Sequence, residues 1–129
     1  MANPEDLEKI CQRIIRIDPK IRSARIINNR GHLIAGGMKK GFHSLEEKTQ
    51  DEMMFMELAL RVRMRHEFDK EFGKVQFSMS YRDKILIMSY PLLNDDVCLV
   101  SSEKELDFCK TPFKILKILK PLKRNPKTL

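Results

Sequence analysis

The sequence has no tryptophan, few glycines and few cysteines, and no long apolar run. Its three cysteines show no close, paired spacing, which excludes a small secreted domain held together by disulfides. No apolar run approaches the roughly 18 residues that a membrane-spanning helix requires. Glu5, Asp6 and Glu8 lie where a signal peptide would be basic and then apolar. These absences predict a soluble, cytoplasmic protein.

The composition is that of a globular domain. Of the 129 residues, 42% are hydrophobic and 33% are charged. The net charge is +7, and the excess lies at one end: seven basic residues and no acidic residue occur from Lys110 to Leu129, whereas the rest of the chain carries 18 of each. We expect a single domain over residues 1–122, followed by a basic, flexible tail over residues 123–129.

The first third of the chain predicts a helix and a hairpin. Asn3 is a suitable N-cap, and Pro4 is suited to the first helical position. Two segments rich in branched residues, Ile21 to Ile27 and His32 to Gly36, predict strands. Between them lies Asn28-Asn29-Arg30-Gly31, whose Asn and Gly residues tolerate the positive φ of a tight turn.

A long helix is predicted next. Ser44 and Glu47 fit a capping box, and neither Gly nor Pro occurs before Gly73. A helix that covers one sheet needs an apolar stripe of about 100°, but this helix is rich in Met and Phe over a wider arc. The surplus indicates either deep burial or contact with a second molecule. The central stripe comprises Leu45, Thr49, Met53, Met56, Leu60 and Met64.

The second half predicts three strands and a helix. Apolar and polar residues first alternate with a period of two, which predicts a half-buried strand carrying Val75, Phe77, Met79 and Tyr81. Two more strands, Ile85 to Tyr90 and Val97 to Ser101, follow it. Ser102 and Glu105 then repeat the capping-box pattern and predict the start of a final helix, which Thr111-Pro112 is expected to kink or restart.

The order of these elements is α-β-β-α-β-β-β-α. Short links between neighbouring strands favour antiparallel pairing. The sequence therefore predicts a single α+β domain with a five-stranded, mainly antiparallel sheet flanked by helices.

This layout resembles the roadblock family of dynein light chains and its bacterial and archaeal relatives, within the wider profilin-like and longin-like fold. The resemblance spans residues 4 to about 120. Its local echoes are the strand, turn and strand from Ala24 to Ala35 and the segment from Tyr90 to Asp96. The Met-rich long helix, with its charged exit from Arg61 to Glu67, departs from the family pattern.

The resemblance implies a non-enzymatic module that forms homodimers or heterodimers and that scaffolds complexes or binds a small GTPase. It supplies no catalytic residues. It implies self-contact through the helix from Leu45 to Phe68 and the strand from Lys74 to Ser80, where the apolar surplus also lies. The predicted homodimer interface consists of Met53, Met54, Met56, Leu60, Met64, Val75 and Phe77.

Two groups of basic residues are candidates for binding a partner. Arg61, Arg63 and Arg65 indicate either a solvated helix end or a contact with an acidic protein such as a small GTPase. The second group, in the final helix, is Lys114, Lys117 and Lys120, opposite an apolar face that begins at Phe113. That face either packs on the sheet, lies in a partner's groove or lies on an anionic membrane. Nucleic acid is a weaker alternative, because Phe113 alone offers a stacking ring there.

No metal, cofactor or catalytic residue is predicted. His32, His43 and His66 show no ligand spacing with one another or with the cysteines. Gly36 to Gly41 lacks the glycine spacing and the terminal Lys-Ser/Thr pair of a phosphate-binding loop. The alternative to an interaction module is a PAS-like or GAF-like sensor, in which Met and Phe side chains would line a small-molecule pocket between sheet and helix.

Overall fold

A computed structural model describes residues 3–123 as four helices on a five-stranded sheet. The helices and strands, in chain order, are α1 (Pro4–Ile15), β1 (Ile21–Ile27), β2 (Leu33–Met38), α2 (Lys48–Arg65), α3 (Asp69–Phe72), β3 (Ser78–Tyr81), β4 (Leu86–Pro91), β5 (Val97–Ser102) and α4 (Thr111–Leu119). Three 3₁₀ turns lie at His66–Phe68, Leu93–Asp95 and Lys120–Lys123. The predicted tail lies outside the described residues, apart from Lys123.

The sheet has the strand order β2-β1-β5-β4-β3, and every neighbouring pair is antiparallel. This confirms the predicted α+β class and the five-stranded sheet. The pairing of β1 with β5 joins the two halves of the sequence. Within residues 3–123, no helix is long and apolar enough to cross a bilayer.

One face of the sheet is covered by α1 and α4. Ile14 of α1 and Ile115 of α4 are fully buried in one apolar cluster with Ala24 and Val100 of the central strands. The Tyr90 hydroxyl in this core donates to the carbonyl oxygen of Pro112 (2.9 Å), so its polar atom has a partner. This face forms the larger core of the domain.

The other face is covered by α2. Phe55 and Val62 of α2 are buried in a second cluster with Ile27, Val97 and Leu99. The hairpin turn between β1 and β2 presses on the helix: a Cβ atom at Gly31, whose φ is +81°, would lie 2.9 Å from the Cα atom of Met56. The turn therefore fixes the distance of α2 from the sheet.

The outer strand β2 is held to α1 by a side chain. The Glu8 carboxylate accepts a hydrogen bond from the Gly36 amide (2.9 Å). The same glycine runs close to β1, because a Cβ there would lie 2.1 Å from the Ala24 carbonyl oxygen. Only glycine fits this backbone position, whose φ is +85°.

The start of α2 differs from the prediction. Glu47, not Ser44, is the N-cap residue, and Gln50 completes the capping box by accepting a hydrogen bond from the Glu47 amide (3.1 Å). Both pairs match the same three-residue spacing, so the local pattern does not distinguish them. The helix ends at Arg65 and, after a 3₁₀ turn, a separate short helix extends to Phe72.

The prediction that α4 begins at Ser102 is wrong. Ser102 is the last residue of β5, where it is buried and pairs with Ile21 and Leu86 on either side. The helix begins at Thr111, with Pro112 in its first turn, a position where proline is tolerated.

The strand predicted from Lys74 to Ser80 is shorter and begins at Ser78. Its ladder with β4 runs from Ser78, opposite Ser89, to Tyr81, opposite Leu86. Alternating polarity indicates that one side of an extended segment is buried, but it does not show whether the backbone is hydrogen-bonded to a neighbouring strand.

Candidate functional site

The outward face of α2 carries an exposed apolar stripe. Met53, Met56, Leu60 and Met64 are each between 51% and 70% exposed. Phe68 and Phe72 continue the same spacing beyond the helix, and their stacked rings lie 5.8 Å apart. We call these six residues the α2 stripe. Its part on α2, from Met53 to Met64, extends roughly 17 Å at the rise of an α-helix.

α2 is therefore apolar on two opposite sides. Phe55, Ala59 and Val62 pack on the sheet, whereas the α2 stripe has no covering element in the described structure. Single exposed apolar side chains are ordinary, but a continuous row marks a contact surface in soluble proteins. The row is bordered by charge, since Glu57 and Arg61 form an ion pair (2.6 Å) on the same helix.

Four of the seven predicted interface residues lie on the α2 stripe, and three do not. Met54 is half-buried and packs on the sheet cluster beneath α2. The half-buried Val75 lines a cavity, and Phe77 is packed between Tyr90 (ring centroids 5.4 Å apart) and Phe113 (5.3 Å). Helical spacing alone does not separate the buried from the exposed side of a helix that is apolar on both, so it did not place Met54 on the inner side.

β3 is an outer strand of the sheet. It pairs with β4 on one side and has no strand on its other side within residues 3–123. Its sequence, Ser78-Met79-Ser80-Tyr81, contains no charge or proline to discourage further pairing. The strand therefore offers backbone donors and acceptors to another strand.

The three arginines of α2 do not form one patch. Arg61 is paired with Glu57, and Arg63 is exposed. Arg65 is half-buried and donates to the Ser78 hydroxyl (2.7 Å), which ties the end of α2 to β3. A two-residue spacing directs successive side chains to different sides of a helix, as expected.

The three lysines of the final helix, Lys114, Lys117 and Lys120, are all exposed. The apolar face predicted opposite them is only partly buried. Ile115 and Leu119 are in the core, but Phe113 is 53% exposed and contacts Phe77 edge-on. An aromatic ring therefore lies at the surface next to the lysines.

A buried ion pair joins α2 to the sheet. Arg25 of β1 and Asp51 of α2 lie 3.2 Å apart, and the Arg25 guanidinium also stacks over the Phe55 ring at 5.3 Å. β1 contains two arginines, Arg22 and Arg25, and the sequence does not show which of them is buried. This pair holds α2 in register on β1.

A cavity of about 270 Å³ lies at the C-terminal end of α2. Its lining mixes charged and polar side chains with Val, Leu and Pro, and it contains no Met or Phe, unlike the pocket expected for a sensor. His66 lines it, with Nδ1 2.6 Å from Asp69 and Nε2 2.6 Å from Asp95. The hydrogen bond to Asp69, and to a smaller extent that to Asp95, raises the pKa of His66 above its usual value.

The buried thiols have no nucleophilic form at neutral pH. Burial raises the pKa of Cys11 to about 12, with a smaller contribution from the charge of Glu8, and burial also raises the pKa of Cys98. Cys109 is exposed. Across residues 3–123 there is no group of three or more His, Cys, Asp or Glu placed to hold a metal ion.

Comparison with known proteins gives one family and one fold. A family model described as "Family of unknown function (DUF6659)" matches residues 2–123. A comparison with curated proteins finds no match.

Three solved structures are similar over nearly the whole chain. A Roadblock/LC7 domain from Streptomyces avermitilis has 15% identity and a TM-score of 0.65, covering 89% of this chain and 95% of that one. MglB from Myxococcus xanthus has 13% identity and a TM-score of 0.71, covering 96% and 97%. A structure of MglB with a tetrameric arrangement has 10% identity and a TM-score of 0.73, covering 95% and 92%. These likenesses confirm the predicted resemblance: the domain has the roadblock fold.

Proposed function

The chain belongs to DUF6659, a family of unknown function, and we propose that it is a non-enzymatic interaction module that forms a homodimer. The proposed interface is the α2 stripe together with the free edge of β3. The observation that carries this proposal is the row of large apolar side chains on the outward side of α2, each at least half exposed.

Apolar burial would drive the association. Burying a Met or Leu side chain contributes about 1.5–3 kcal/mol, and a two-fold axis would bury each residue of the stripe twice. This gain must exceed the loss of translational and rotational freedom, about 4–15 kcal/mol. Ion pairs such as Glu57–Arg61 would then lie at the rim, as in other protein interfaces.

Strand pairing at the β3 edge would fix the orientation of the two copies relative to each other. An antiparallel pairing of β3 with its copy would satisfy backbone groups that have no strand partner in one chain. Arg65 supports this arrangement, because its bond to Ser78 connects the two proposed contact elements (2.7 Å). Self-association also occurs on this fold, since one similar structure is an MglB with a tetrameric arrangement.

A second protein is proposed as the ligand of the dimer. The resemblance to the roadblock family implies a small GTPase, and the exposed Arg63 beside the α2 stripe supports an acidic partner surface. Lys114, Lys117 and Lys120 form a second exposed basic group, on the other face of the domain. Titrating a purified small GTPase, loaded with GDP or with a GTP analogue, into wild-type protein and Arg63→Glu tests this. Equal binding by the two proteins would exclude a role for Arg63.

The experiment for the dimer is light scattering across a dilution series at moderate and high salt. We expect a mass of about 30 kDa, twice the 15.2 kDa of one chain, that salt does not reduce. Met56→Glu should give a folded monomer. Leu33→Glu is the matched control, because Leu33 is 50% exposed but lies on β2, at the opposite edge of the sheet. A wild-type protein that is monomeric at every concentration would overturn the proposal.

A further inference from the structure

The cavity at the end of α2 is built from segments far apart in the sequence. Its walls are the end of α2 with the following turn, residues 74–76, the turn between β4 and β5, and Lys123. Asn94 and Asp95 in that turn both have a positive φ, of 61° and 63°. Non-glycine residues keep such a backbone where their surroundings hold it, and here the Asn29 side chain donates to the Asn94 carbonyl (2.9 Å).

The carboxylates that line the cavity are already engaged. Asp69 and Asp95 each contact one ring nitrogen of His66 at 2.6 Å. A carboxylate accepts hydrogen bonds only, so both nitrogens donate and the imidazole is protonated when both bonds are made. One imidazolium is thus shared between two carboxylates.

The other cations of the cavity have no carboxylate. Lys123 donates to the Gln76 carbonyl (3.0 Å) and to its side-chain oxygen (3.4 Å), which are both neutral groups. Arg65 donates to the Ser78 hydroxyl, and neither these two cations nor Lys74 forms an ion pair within residues 3–123. Residues 1–2 and 124–129, outside the described range, contain no acidic side chain.

Lys123 is the unusual member of this group. It is half-buried, and burial lowers its pKa, as expected for an ammonium that is withdrawn from water without an opposing charge. Charged groups that are buried away from water in proteins are ordinarily paired with an opposite charge. A negative group placed beside Lys123 would supply the missing pair.

We propose that this cavity binds a small oxyanion, a phosphate group or a carboxylate, between Lys123 and Arg65. With His66 protonated, four cationic side chains line the cavity against two carboxylates, which gives the net positive charge that an anion requires. The volume, about 270 Å³, lies below the range of about 300–1,000 Å³ that is typical of drug-sized ligands. It suits one anionic group and a few attached atoms. This inference does not depend on dimerisation.

The test uses inorganic phosphate as the probe, with acetate and chloride as separate arms at constant ionic strength. Calorimetric titration into the full chain should give saturable binding of phosphate or of acetate, and none of chloride. Lys123→Gln should weaken that binding about tenfold or more. Lys84→Gln is the matched control, because it removes one exposed lysine outside the cavity, and it should bind as the wild type does.

Backbone chemical shifts recorded during the same titration keep the test independent of any variant's fold. The largest phosphate-induced changes should lie at His66, Gln76 and Lys123. Three results would overturn the proposal: no saturable binding of either oxyanion, equal weakening by Lys84→Gln and Lys123→Gln, or shift changes that centre on α4. A monomeric wild type would leave this proposal standing, so its failure and that of the dimer are distinguishable.

Discussion

The Arg25 guanidinium and the Asp51 carboxylate meet at 3.2 Å beneath α2, where their side chains are only 7% and 17% exposed. The Nε atom of Arg25 and the Oδ1 atom of Asp51 have no hydrogen-bond partner. The pair is therefore incompletely satisfied, and its value to the fold lies in positioning α2 on β1.

Removing one partner of this pair should destabilise the protein strongly. Asp51→Ala leaves the Arg25 charge buried and unpaired, and we expect the free energy of unfolding to fall by about 3 kcal/mol in urea titrations. Replacing both partners, by Arg25→Met with Asp51→Leu, should recover most of the loss. A double variant as unstable as the single one would contradict this account.

The two apolar sides of α2 should respond differently to truncation. Phe55→Ala removes a buried ring and should cost about 3–5 kcal/mol in chemical denaturation. Met53→Ala, on the exposed side of the same helix, should leave the stability of the dilute monomer within about 0.5 kcal/mol of wild type. If the dimer forms, Met53→Ala should raise its dissociation constant, which light scattering at several concentrations would measure.

The contact between Gly31 and α2 can be tested with a second glycine as control. Gly31→Ala adds a Cβ atom at a φ of +81°, only 2.9 Å from Met56 Cα. Gly41→Ala adds one at a φ of +86° with no atom within 4 Å. Both carry the backbone strain, about 1 kcal/mol or more, but Gly31→Ala should lose additional stability because α2 must move. Equal losses in urea titrations would mean that the turn does not set the position of α2.

Stability should depend on pH through His66. Because the two carboxylates raise its pKa in the folded protein, this contribution is complete below the unfolded pKa of about 6.5 and is lost as the pH rises through the folded pKa. The difference in stability between wild type and His66→Gln should therefore shrink from about pH 6 towards alkaline pH, as measured by urea titration at each pH. A difference that does not change over this range would show that the His66 bridge carries no net charge-dependent stability.

Thiol reactivity should separate the three cysteines. Cys11 and Cys98 are buried with raised pKa values, whereas Cys109 is exposed. A chromogenic disulfide reagent at neutral pH should titrate one thiol rapidly in the folded protein and three in denaturant. Cys109→Ser should abolish the rapid phase. A second rapid thiol would show that α1 opens away from the sheet.

Features with a local cause were predictable from sequence. The turn from Asn28 to Gly31 was predicted correctly because Gly31 supplies the positive φ (81°), and its amide closes the turn by donating to the Asn28 carbonyl (2.9 Å). The prediction that α2 carries more apolar residues than contact with one sheet requires was also correct, because amphipathic spacing is a property of the helix itself.

Features that depend on distant residues were not predictable. The start of α4 was misplaced because Ser102 is taken by the sheet, a tertiary demand that overrides its capping pattern. The cavity brings together residues 62–76, 91–95 and 123, and no spacing in the sequence announces that meeting. The Arg25–Asp51 pair likewise joins two elements across the hairpin.

The hydrogen bond between Glu8 and the Gly36 amide affects how many sheet edges are available for pairing between copies of the protein. A subunit with two free sheet edges can pair with a neighbouring copy at each edge, and such copies can assemble into an open filament. Here the Glu8 side chain accepts a hydrogen bond from a backbone amide of β2, whereas no side chain binds the backbone of β3 in this way within the described chain. One amide of β2 is thus unavailable to an added strand, so the proposed pairing through β3 would be favoured over growth at both edges.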